Sequence, residues 1–121
     1  MSVSCNGWTV DLSSVDGLSL AEIADICLFA EAGAQAIRLL QRNGTPDALC
    51  SKLAAQALVV LRRVPAPEAC ESAFSKLVAG ERPEGDLREV RSVMERMSEV
   101  LSDELERCTK RFNQLLGVRD L

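Results

Sequence analysis

The strongest nucleophiles in this chain are five cysteines, at positions 5, 27, 50, 70 and 108, and no His is present to activate them. A Ser-His-Asp or Cys-His catalytic set is therefore impossible within the chain, and so are mixed Cys/His zinc sites and the Glu-x-x-His signature of di-iron bundles. No two cysteines are closer than 20 residues, so there is no Cys-x-x-Cys pair for metal or redox work. The odd count and the absence of a signal-peptide pattern read as free thiols in a reducing cytoplasm. Cys27, Cys50, Cys70 and Cys108 fall on apolar helix faces, where a thiol acts as a small core hydrophobe. Cys5 lies outside the helices and is the candidate reactive thiol.

Acids are the next candidates. Glu95, Glu99, Asp103, Glu104 and Glu106 crowd one stretch of a predicted helix, and spacings of four set Glu95, Glu99 and Asp103 on one side of it. Glu95, Glu99, Asp103 and Glu106 form a candidate acidic face for a basic partner, against the plainer reading of a solvated helix surface. The formal net charge of −4 disfavours non-specific attraction to a phosphate backbone. No Gly-rich phosphate loop or nucleophile elbow occurs, so no catalytic, cofactor or metal-binding residues are assigned and an enzyme ranks third among the functions. Arg outnumbers Lys 11 to 3 alongside abundant Ala and Leu, a bias that fits a GC-rich bacterial or phage genome.

The elements that must carry these residues are helices. At 47% hydrophobic and 121 residues the chain can build one core, and no run of 18 apolar residues could span a membrane. Residues 1–18 differ from the rest: Val3, Cys5, Trp8, Val10 and Leu12 alternate with polar residues around Asn6 and Gly7, a type I′ turn pair. They form either a small hairpin, Val3–Cys5 against Trp8–Val10, or an extended arm whose Trp8 plugs a groove. Residues 19–121 form a single helical domain, with helices at about 20–42, 46–63, 67–79 and 87–116. The expected fold is all-α, a four-helix bundle-like domain with a long C-terminal helix.

Ser19 and Glu22 make a capping box for the first helix, and Asn43-Gly44 stops it. Its apolar arc covers about two-thirds of the circumference, so it is central and flanked by at least two helices. The second helix opens with Thr45 as cap, Pro46 in the first turn and Asp47 at the positive end of the dipole. Leu49, Leu53, Ala57, Val60, Leu61 and Val64 are its core stripe. The third buries Cys70, Ala73, Phe74 and Leu77, and residues 81–85 read as a polar, exposed connector. The fourth opens on a capping box, Asp86 with Glu89, and carries apolar residues at 87, 90, 94, 97, 101, 105, 108, 112 and 115. That is a heptad rhythm with one stutter after Leu101. Asp103–Arg107 and Glu106–Lys110 are its expected i,i+4 pairs.

Ser19 to Ile26 resembles the opening helix of bacterial repressor reading heads. The resemblance implies a helix-turn-helix at 19–42, with Gln35, Arg38 and Arg42 as nucleic-acid contacts. It fades at Leu28, where such turns carry Gly, and at the Ala-rich stretch that follows. A DNA reader would need Arg38, Arg42, Arg62 and Arg63 on one exposed face.

The preferred reading is a small cytosolic protein–protein interaction module, an adaptor, inhibitor or regulator, acting as a helical homodimer with an unidentified protein partner. A DNA-binding regulator is the alternative. At about 45 Å the fourth helix outruns its own bundle by roughly two turns. Leu105, Cys108, Phe112, Leu115 and Leu116 are then the candidate dimer interface, because an isologous contact needs only self-complementarity. The competing expectation is that the helix bends, or that the N-terminal arm with Trp8 covers its end.

Overall fold

The computed structural model describes residues 2–5, 8–64, 66–85, 87–115 and 117. The fold is all-α, four helices in a bundle-like arrangement. An antiparallel hairpin, β1 (Ser2–Cys5) with β2 (Trp8–Asp11), precedes a 3₁₀ turn (Ser13–Gly17). Then follow α1 (Leu20–Asn43), α2 (Ala48–Arg63), α3 (Glu68–Val78) and α4 (Leu87–Leu115). Of the two expectations for the N-terminus the hairpin is the one that forms, with Val3 opposite Val10 and Cys5 opposite Trp8. The Asn6-Gly7 turn, Asp86 of the fourth capping box and Leu116 lie outside the described residues. A two-stranded hairpin is marginal by itself, and this one lies against α4. Val10, Leu12 and Val15 are fully buried, which draws the N-terminal segment into the helical core.

Local chemistry sets the helix ends. The Ser19 hydroxyl accepts from the Glu22 amide at 3.2 Å, and Gly44 at φ 81° closes α1 by donating to the Leu40 carbonyl. The second half of the capping box differs from expectation. Ser19 Oγ donates to the Glu22 carboxylate at 3.1 Å, and the other carboxylate oxygen takes Arg63 of α2 at 3.3 Å. The start of α2 is also corrected: Asp47, not Thr45, is the cap, its carboxylate accepting from the Cys50 amide at 2.7 Å. Asp47 is the last extended residue before the helix, so it and not Thr45 reaches the orphan amide. The 81–85 connector is less open than its composition implies, since Pro83 is buried and Arg82 donates to the Gly44 carbonyl at 2.7 Å.

α1 is the central helix, packed between α2 and α4, and α3 packs against α2 and α4. Neighbours in this series run antiparallel. Glu22 meets Arg63 and the Ala36 carbonyl takes the Cys50 thiol; Arg38 meets Glu95 and Gln41 meets Arg91. Gly33 marks the crossing. A Cβ there would stand 2.8 Å from Ala57 Cβ, 2.9 Å from Met94 Cε and 3.1 Å from Phe74 Cζ, one atom from each other helix. The Ala-rich sequence of α1 thus trades side-chain bulk for close approach. Phe74, Leu77, Met94, Met97 and Leu101 then fill the centre, each such side chain contributing about 1.5–3 kcal/mol on burial.

Candidate interaction surface

The α4 seam is divided between the protein's own core and solvent. Leu105 is half-buried and packs against the core. Cys108 is half-buried too, in a cleft of about 440 Å³ between α4 (Glu104, Cys108, Arg111) and the segment from Val15 to Ile23. α1 begins beside this cleft, and α4 runs on past it to Leu115. Leu115, in that last turn, is 81% exposed. The Phe112 side chain and Leu116 lie outside the described residues.

Three of the four acids of the candidate face are paired with bases. Glu95 accepts from Arg38 at 3.0 Å and faces Arg91 at 3.2 Å; Glu99 holds Arg96 at 2.9 Å; Glu106 holds Lys110 at 3.5 Å. The expected Asp103–Arg107 pair is replaced by Arg107 with Glu104, one turn back on the same helix. Asp103 is exposed and makes no ion pair among the described residues. Pairs this exposed are worth at most about 1 kcal/mol each. No set of three or more acids or thiols among the described residues could hold a metal ion.

The residues assigned to the nucleic-acid alternative are arranged differently from a reading head. Residues 20–43 form one unbroken helix, so the stretch 19–42 contains no turn. The reason is local: nothing between Leu20 and Asn43 disfavours helix except Gly33, and Gly33 is where the other helices pack. The Arg38 guanidinium donates to Glu31 at 2.8 Å, Gln35 at 3.2 Å and Glu95 at 3.0 Å. Its Glu31 bond above all holds its pKa above the ordinary arginine value. Arg42 is exposed in the last turn of α1, whereas Arg63 meets Glu22 at the opposite end and Arg62 lines a cleft with Leu58 and Glu71. The four arginines do not share a face.

The thiols separate into two classes. Cys50 and Cys70 are buried, as expected of core residues, and burial pushes the Cys70 thiol up to about 11 and raises Cys50 as well. Cys27 and Cys108 are only half-buried, which corrects their assignment to the core. Cys27 donates to the Ser98 carbonyl at 3.3 Å across the α1–α4 contact. The Cys5 side chain lies outside the described residues.

The surface that sequence reasoning missed is the outer side of the α1–α2 pair. Leu28 is 65% exposed there although it sits in the apolar arc of α1, because α2 and α4 cover the other sides of that arc. Val59 of α2 is 40% exposed, and Leu49, expected in the core stripe, is 53% exposed. Phe29 and Val59 line a small cleft of about 90 Å³ with Glu22, Asp25, Ile26 and Arg63. The width of the α1 arc was the signal, since it exceeds what two neighbours bury. Comparison with known protein families, curated proteins and solved structures finds no match.

Proposed function

We propose that this chain is a small protein–protein interaction module, an adaptor, inhibitor or regulator, that works as a helical homodimer in the cytoplasm. One observation carries the reading: Leu28, in the middle of the most enclosed helix of the bundle, is 65% exposed with Val59 and Leu49 exposed on the adjoining helix. Apolar side chains grouped on a helix pair are what a partner surface covers. The chemistry elsewhere supports binding over catalysis, because Arg38, Arg91 and Arg96 are engaged with Glu31, Glu95 and Glu99. Free thiols at Cys27, Cys50, Cys70 and Cys108 suit a reducing compartment. Light scattering after size exclusion tests the homodimer. A mass of two chains at tens of micromolar is expected, and a single-chain mass across that range overturns it.

A further inference from the structure

We draw no further inference here: the strongest candidate, the cleft of about 440 Å³ between α4 and the segment from Val15 to Ile23, sets an apolar wall against a lone half-buried thiol, Cys108, and one exposed cation, Arg111, and nothing in the structure shows what occupies it.

Discussion

Adding a single methyl group at Gly33 tests the packing more sharply than any deletion. By helix propensity alone, Gly33→Ala inside α1 should stabilise the protein by about 1 kcal/mol. The structure gives the opposite sign. The new Cβ would stand 2.8 Å from Ala57 Cβ, 2.9 Å from Met94 Cε and 3.1 Å from Phe74 Cζ. Met94 Cε is the end of a flexible side chain and can swing aside. Ala57 Cβ is fixed to the α2 backbone, so that contact is relieved only by moving α2 away from α1. Phe74 is fully buried, so its ring has no free space to enter. Overpacking of this kind costs about 1–3 kcal/mol, and set against the propensity gain it leaves a net loss of about 1 kcal/mol. For a domain of this size the melting temperature should fall by roughly 4 °C. Thermal and urea unfolding followed by circular dichroism measure it, with Gly33→Leu expected to abolish cooperative folding. A Gly33→Ala protein that melts higher than wild type would refute the close crossing of α1 and α2.

Other perturbations probe the ends and the thiols. Asp47→Ala should lose about 1 kcal/mol in urea unfolding, while Thr45→Ala changes stability by a few tenths, and the reverse order would return the cap to Thr45. The Cys70 thiol, held at about 11 in the fold against an ordinary 9.0, keeps its proton more tightly in the native state. Stability is therefore whole below pH 9 and falls between pH 9 and 11 by at most about 1.4 kcal/mol per unit. A Cys70→Ala protein should show a shallower alkaline fall, and an unchanged one would contradict the burial. With a thiol reagent at pH 8, Cys27 should label before Cys50 and Cys70; equal rates at all three would contradict the two classes. Duplex DNA should show no tight binding near physiological salt by fluorescence anisotropy, and submicromolar binding abolished by Arg42→Ala would revive the reading-head alternative.

What the sequence makes legible is chemistry that acts within one turn or one face. Ser19 and Gly44 bound α1 where their side chain and left-handed backbone predict, and the heptad rhythm of α4 buries Val90, Met94, Met97 and Leu101 as spaced. Two neighbouring candidates blur that precision: Thr45 and Asp47 can both cap a helix, and only the extended backbone at Asp47 decides between them. Arg107 likewise has acids at both three and four residues' distance, and rotamer geometry selects Glu104. The harder gap is tertiary. An apolar arc on α1 says that much must be covered, not which neighbours cover it, so the burial of Ala32 and the exposure of Leu28 are indistinguishable from hydrophobicity alone. Leu49 fails for the same reason, lying on the apolar stripe of α2 but in its first turn, at the edge of the contact with α1. Pro83 is buried through the fold around it, which no turn propensity encodes.

The central claim is the proposed homodimer, with exposed Leu28 as a side chain that a partner surface covers. Light scattering of wild type beside Leu28→Glu, at equal concentrations in the tens of micromolar, tests it most directly. Twice the 13.1 kDa of one chain is expected for wild type, and a shift toward one chain for the folded variant. Equal masses for the two proteins, whether of one chain or of two, would contradict it.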